Sequence, residues 1–568
     1  MILFLGLWIA SVLSAAPAIY PLKDVRAGQH AVGRTVFAGT KIEEFDVEIL
    51  GVLDNLGPQQ SIILARLSGG PLANTGVMQG MSGSPVYIDG KLVGAVALSF
   101  PQSKEPIAGI RPIEDMLRVE PVIPTAPRQL AANLPARRGP VLAGETRLEE
   151  IATPVAFSGF SAAALDHFAP QLRTLGLDPR QGISGGGSPS ERLGDPRKIE
   201  PGSMISVQLV SGDLSVGADG TVTAVDGDRI YAFGHRFLAA GPTDMPFAQA
   251  EVLALLPNLA SSFKISTARE WMGTITADRD TAISGLTGRA ASLIPVEIQV
   301  GKMTYRVRMV QDRVMTPLLT QMALFSAIDA TERNIGPETY SIRGLIVFDQ
   351  GSVRIDDVYS GDVAVAAVAS GGVASTLGFA LQSGFDELKV KSLALEVRPV
   401  EKRGQSPIVD LIAPRTARPG EDLDLVIVLG GENGAETSRH VRYRVPVGAA
   451  PGPLYFTAAD ATATNTLEYQ AAVGTPQHSP EQVLNLLNGL RSNTKAYVRV
   501  WRSEPSFTVE GRDLPDPPPS LAMVLTRAQA GNTNLVSARG AKLAELEVSA
   551  GPGLVITGTK TVQVEVKE

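Results

Sequence analysis

The sequence predicts a mainly β protein of several domains, with helix in the minority, and three observations carry that expectation. Short Val- and Ile-rich runs alternate apolar and polar residues, the period of half-buried strands. The 57 glycines and 40 prolines supply the tight turns between them. At 568 residues the chain exceeds what one hydrophobic core holds, so roughly three or four domains are expected.

Read from its amino terminus, the chain opens on an apolar run, Met1 to Ala10, that continues through Val12 to small residues ending at Ala18. Residues 1–18 therefore read as a secretory signal peptide. No Lys or Arg precedes the run, so an uncleaved amino-terminal anchor is the other reading; its shortness for a membrane span favours cleavage after Ala16 or Ala18. An exported protein, periplasmic or associated with the cell envelope, is the expectation, and no later segment is expected to cross a bilayer. Cys is absent, which excludes disulfides, thiolate metal sites and a cysteine nucleophile. A formal charge of -7, from 51 basic and 58 acidic residues, disfavours a nucleic-acid partner.

A first β module spans 19–125. It contains the runs Val32–Phe37, Ile42–Leu53 and Ile62–Leu67, and ends on Val86–Leu98, where Asp89-Gly90 is a two-residue hairpin signal. Residues 126–200 read as a linker with a small helical segment around Ala162–Asp166. Gly182–Gly194 within it is rich in Gly, Ser and Pro and reads as a flexible loop. A second β module, 201–300, is most regular from Gly220 to His235, again with an Asp-Gly pair at Asp226-Gly227. Residues 301–404 form an α+β bracing region: helical spacing over Met315–Ala330, strand over Thr339–Asp349, helix over Val373–Phe385 and strand over Lys389–Val397. From 405 to 568 β runs and Pro-Gly turns suit an immunoglobulin-like β-sandwich. One helix interrupts it, with Ser479 as N-cap and Pro480 at the first helical position.

The chemistry concentrates in Gly80-Met81-Ser82-Gly83-Ser84-Pro85. A serine hydroxyl is a poor nucleophile at neutral pH and needs a base within reach, with donors where the carbonyl oxygen becomes negative. Glycine at position 80 allows its amide and that of Ser82 to point together as an oxyanion hole, and Gly83 keeps the approach to the hydroxyl open. The strand, hairpin and strand that follow are the arrangement found after the reactive serine of trypsin-like barrels; a plain turn before a hairpin is the bland alternative. Gly182-Ile183-Ser184-Gly185-Gly186 fits the same short pattern, yet no strand follows to hold it rigid, so Ser184 reads as linker. Of the five histidines, His30, His440 and His478 lie in polar or loop-like sequence and His167 in the small helix. His235 differs, standing at the end of an alternating strand directly after Gly234.

Val77–Val86 with Asp89–Val96 resembles the nucleophile segment of the SpoIVB (stage IV sporulation protein B) peptidase family, as Glu43–Ile49 does its upstream segment. Gly220-Thr221-Val222-Thr223 and Ala232-Phe233-Gly234-His235 are similar to the strand and the histidine segment of the same family. The resemblance covers about residues 20–110 and 200–300 and implies a trypsin-like double β-barrel, with Ser82 and His235 in permuted order: in the family the histidine segment comes first. A triad is defined by geometry, so the reversal does not forbid catalysis.

The family's acidic residue, some fifteen positions before the serine, has no counterpart in Ala65–Pro71. That leaves a Ser-His dyad, an acid such as Asp244 or Asp280 from the second module, or an impaired enzyme. The expectation is an exported serine endopeptidase without cofactor or metal, acting on a protein substrate, with Gly80 and Ser82 amides as oxyanion hole; self-cleavage is what the family resemblance implies. Envelope partners would meet the carboxy-terminal β domains. The rival is a non-catalytic exported scaffold on a degenerate peptidase fold.

Overall fold

In the computed structural model, strands account for 54% of the chain and helix for 20%, the mainly β class that alternation predicts. The structure describes residues 18–57, 60–100, 103–119, 148–151, 153–182, 192–259, 261–331, 338–361, 364–400, 404–431, 434–474, 479–509, 512–515, 517–529, 535–549, 551 and 554–568. The expected signal peptide, Ser184 and His478 lie outside them. Two compact units form, one of residues 1–296 and 305–319, the other of 297–304 and 320–568.

The first unit contains two closed β rings. In the first, β1 (His30–Ala38), β2 (Lys41–Gly57), β3 (Gln60–Ser68), β4 (Pro85–Ile88), β5 (Lys91–Ser99) and β6 (Ile107–Pro112) pair in the order β4-β1-β2-β3-β6-β5. A further β4–β5 pairing closes the ring, and every pairing is antiparallel. Alternation explains the interior: Phe45, Val47 and Ile49 on β2 and Ile63, Ala65 and Leu67 on β3, each two residues apart, meet in one buried cluster. Asp89 and Gly90 join β4 to β5 with φ of 49° and 72°, the left-handed pair that a type I′ hairpin demands. His30 begins β1 and faces outward, although its surroundings in sequence read as a loop.

Residues 153–182 correct the linker expectation. A short strand β7 (Glu149–Glu150) extends β5; then β8 (Thr153–Ser158), helix Ala162–Thr174 and β9 (Leu177–Gln181) form an ordered strand-helix-strand. The helix starts where Ser161 accepts the Ala164 amide at 3.2 Å. Val155 and Phe157 of β8 are wholly buried, but its short run lacks alternation, so sequence periodicity does not reveal it.

The second ring comprises β10 (Met204–Gly212), β11 (Ser215–Asp226), β12 (Arg229–Ala232), β13 (Gly241–Leu256), β14 (Phe263–Arg279) and β15 (Ala282–Thr287). They pair antiparallel in the order β10-β13-β14-β15-β12-β11, and β10 pairs again with β11. β8 lies beside the far end of β11. The rings are stitched together: Gly39 and Val252 exchange two backbone hydrogen bonds of 2.8 Å, and Val36, Met204, Ala250 and Val252 share a core.

In the second unit, strands Glu338–Phe348, Gly351–Gly361 and Val390–Pro399 pair antiparallel. The helix Val365–Gln382 packs against Gly351–Gly361 and begins eight residues before the expected Val373. The Gly371-Gly372 pair hides it from a propensity reading; Gly372 is accommodated because the Tyr359 hydroxyl occupies the space a β-carbon would take. By length and apolarity this helix is able to cross a bilayer, against expectation, and half of its apolar window is buried.

Farther on, two sheets face each other. Leu425, Ile427 and Tyr443 from one and Phe456, Val498 and Val564 from the other form a single core, a β-sandwich. Its helix Pro480–Asn488 starts on Ser479, whose hydroxyl accepts the Gln482 amide at 3.3 Å. His440 sits on the exposed strand Glu436–Arg444 rather than in a loop, its Nδ1 2.9 Å from Asp424.

Candidate active site

Ser82 lies between two interlocked turns. The Met81 amide donates to Met78 O at 3.1 Å and the Ser84 amide to Met81 O at 2.9 Å. In each turn the third residue is glycine with φ of 92°, Gly80 in the first and Gly83 in the second, as a type II turn requires. Gly83 is also sterically obligatory: a β-carbon there would stand 2.0 Å from Thr221 O and 2.5 Å from Phe233 N.

The loop is pinned by β11 of the other ring. Thr221 donates its amide to Ser82 O (2.8 Å) and its hydroxyl to Gly80 O (3.0 Å), while Thr223 donates its hydroxyl to Gly83 O (2.7 Å). Thr221 and Thr223, two residues apart on one face of the strand, are fully buried. From the first ring, Val96 O accepts the Gly83 amide at 2.7 Å. With the loop's carbonyls thus bound, the amides of Gly80 and Ser82 donate to no backbone carbonyl among the described residues, the condition for an oxyanion hole. Ser82 itself is completely buried, and its hydroxyl makes no hydrogen bond.

His235 follows β12 after Phe233 and Gly234, both left-handed at φ of 70° and 71°. A bulky residue in that region carries about 1–2 kcal/mol of backbone strain. Phe233 is held there by its amide bond to Thr221 O (3.2 Å) and by complete burial of its ring. The same β5 carbonyl, Val96 O, that receives the Gly83 amide lies 3.5 Å from where a Gly234 β-carbon would be, so both loops rest on one wall. His235 Nδ1 is 2.7 Å from Arg236 O; a carbonyl only accepts, so Nδ1 carries the proton and Nε2 is the basic nitrogen.

Asp244 accepts from the Thr274 hydroxyl at 2.7 Å and the Ser292 amide at 2.9 Å. Asp280 is largely exposed and faces Arg236 at 3.8 Å. The carboxylate built into the His235 strap is Asp278, buried at 1% exposure. Its Oδ1 accepts the Phe237 amide (2.8 Å) and its Oδ2 those of Leu238 (2.6 Å) and Ala240 (3.1 Å). Sequence reading misses it because Ala277-Asp278-Arg279-Asp280 looks like an ordinary charged strand end. Arg111, also missed, is buried and donates from Nε to Gly234 O at 3.3 Å; desolvation holds its guanidinium below the usual range. Against the other side of the loop, the alkyl stem of Lys264 lies 3.2 Å from the missing β-carbon of Gly80. No cluster of three His, Asp or Glu suited to a metal occurs among the described residues.

A pinned Gly-x-Ser-Gly loop on closed β rings, in a segment that matches a peptidase family, supports a function of serine-peptidase type. Residues 11–117, which include that loop, match the family described as SpoIVB peptidase S55, so over this segment the chain resembles that family; His235 lies outside the matched residues. No curated protein and no solved structure matches the chain.

Proposed function

We propose that this protein is an exported serine endopeptidase acting on proteins, itself included, with Ser82 as nucleophile and His235 as base. The observation that carries the reading is the Ser82 loop: a buried hydroxyl without a hydrogen bond, flanked by two amides with no backbone acceptor, in a segment that matches a peptidase family. Two six-stranded antiparallel rings support a trypsin-like double barrel, with the serine loop from the first and the histidine strap from the second.

In the reaction, Ser82 Oγ attacks the peptide carbonyl carbon as its proton passes to His235 Nε2, and the resulting oxyanion is held by the Gly80 and Ser82 amides. Collapse breaks the C–N bond, the leaving amine takes the proton from His235, and water then hydrolyses the acyl-enzyme by the same route in reverse. Asp244 is bound by Thr274 and Ser292, which favours a Ser-His dyad whose strap is set by Asp278. Ser82 and His235 are both at 0% exposure, so a substrate reaches them only after covering residues part. The apolar segment at 1–18 supports export to the periplasm or envelope, and the carboxy-terminal sandwich is the surface for envelope partners.

The test is mass spectrometry of the purified full chain after incubation alone and with an unfolded protein substrate. Fragments that appear for the native chain and not for Ser82→Ala support the reading. The same fragments from Ser82→Ala would leave the non-catalytic scaffold as the better description.

A further inference from the structure

A cavity of about 250 Å³ lies in the second ring, beside the face of β11 that holds the Ser82 loop. Residues two apart share that face: Thr223 binds Gly83, Thr221 binds Gly80, and next in line Asp219 and Gly217 border the cavity. The cavity thus begins one residue pair, about 7 Å of strand, from the loop. β14 forms the opposite wall with Lys264 and Ser266, and it touches the loop as well: the Lys264 amide donates to Gln79 O at 3.2 Å.

The buried charge of this wall is Asp219. Ser266 Oγ donates to its Oδ2 at 2.5 Å, the Ser206 hydroxyl bonds the same carboxyl, and Gln208 Nε2 donates to Ser206 Oγ at 2.7 Å. Neutral donors therefore converge on the carboxylate, and among the described residues no cation forms an ion pair with it. Of the two cations that border the cavity, neither lies within ion-pair distance of Asp219, although the Lys264 ammonium acts on it through space. Lys264 Nζ donates to Thr35 Oγ1 at 2.8 Å, and Arg180 pairs with Asp178 at 2.7 Å while lying over the Phe263 ring. A desolvated carboxylate facing open space favours a cationic guest and repels an anionic one.

We infer that this cavity receives a basic side chain, lysine or arginine, of the polypeptide held at Ser82, with Asp219 as its counter-ion. The inference rests on the peptidase reading for the position of the scissile carbonyl at the Gly80 and Ser82 amides. Burial raises the Asp219 carboxyl above its ordinary range, and a guest cation reverses part of that cost.

The probe is benzamidine, an aromatic amidinium, titrated into the full chain by calorimetry, with benzoate as its anionic counterpart; cleavage of peptides with Lys, Arg, Leu or Glu before the scissile bond is measured in parallel. The native chain and Ser82→Ala should bind benzamidine alike, Asp219→Asn should weaken it by about 30-fold or more, and benzoate should not bind. Should Asp219→Asn fail to fold, Gly217→Ala serves instead. Its β-carbon would stand 2.3 Å from Gln208 Nε2 and narrow the cavity, and weaker benzamidine binding is again expected. Benzamidine binding without any Ser82-dependent cleavage would discard the peptidase reading and keep the cation site. Cleavage indifferent to the basic residue, benzamidine binding unchanged in Asp219→Asn, or preferred binding of benzoate would overturn the inference.

Discussion

Gly83 and Phe233 lie backbone to backbone, so close that a β-carbon on Gly83 would stand 2.5 Å from the Phe233 amide nitrogen. Through this contact the residue after Ser82 and the residue two before His235 become one packed unit, although 150 positions separate them (233 minus 83). The steric demand and the positive φ coincide at Gly83, and no side chain satisfies both.

Gly83→Ala is therefore expected to cost about 2–4 kcal/mol of stability, combining left-handed strain with overpacking. Urea unfolding of the variant beside Gly90→Ala gives the comparison. Gly90 also has positive φ but open space around it, so its variant should lose less. Equal losses would mean that the Gly83–Phe233 contact contributes nothing beyond backbone strain.

Removing the Asp278 carboxyl leaves the Phe237, Leu238 and Ala240 amides without their acceptor. Asp278→Ala is expected to destabilise the chain by about 3–5 kcal/mol, and Asp278→Asn, which keeps one acceptor oxygen, by less. In a peptide-cleavage assay Asp278→Asn should lower kcat while leaving KM near its native value, because the strap positions His235 and binds no substrate. A change confined to KM would argue against that role.

Lys264 provides a pH signature. Burial pushes its ammonium down to about 7, while in the unfolded chain it titrates near 10.5. Between those values the unfolded chain binds more protons than the folded one, so stability rises with pH across that window, by at most about 1.4 kcal/mol per pH unit. Below about 7 the buried charge costs its full amount. Lys264→Met keeps the stem against Gly80 and removes the charge, so the variant's gain in stability over the native chain should be largest near pH 7 and shrink toward pH 10. Denaturant midpoints at pH 7, 8.5 and 10 measure it; parallel profiles would show that Lys264 is not neutralised by folding.

Much of this architecture can be read locally. Both Asp-Gly hairpins, the period-two interior of Phe45, Val47 and Ile49, and the Ser479 cap follow from neighbours in sequence. The two candidate segments are local signals as well: Ser82 stands just before the β4–β5 hairpin, and His235 just after β12. What escaped depends on distant contacts. β8 is specified by its register on β11, Asp278 by a strap some 40 residues away, and the Asp219 cavity by donors from two other strands, β10 and β14. Alternation marks Lys264 as an ordinary strand lysine; only the closure of the ring shows that it is buried against Gly80. Asp244 illustrates the converse: its place in the second module made it a candidate, and the structure shows the bonds it makes there, to Thr274 and Ser292.

The central claim is that Ser82 is a nucleophile activated by His235, and covalent labelling by a fluorophosphonate probe, read by intact mass, tests it most directly. The native chain and Ser184→Ala should each take up one probe per molecule, Ser82→Ala none, and His235→Gln should react at least about 100-fold more slowly. Labelling of Ser82→Ala at the native rate, or a native rate in His235→Gln, would contradict the account.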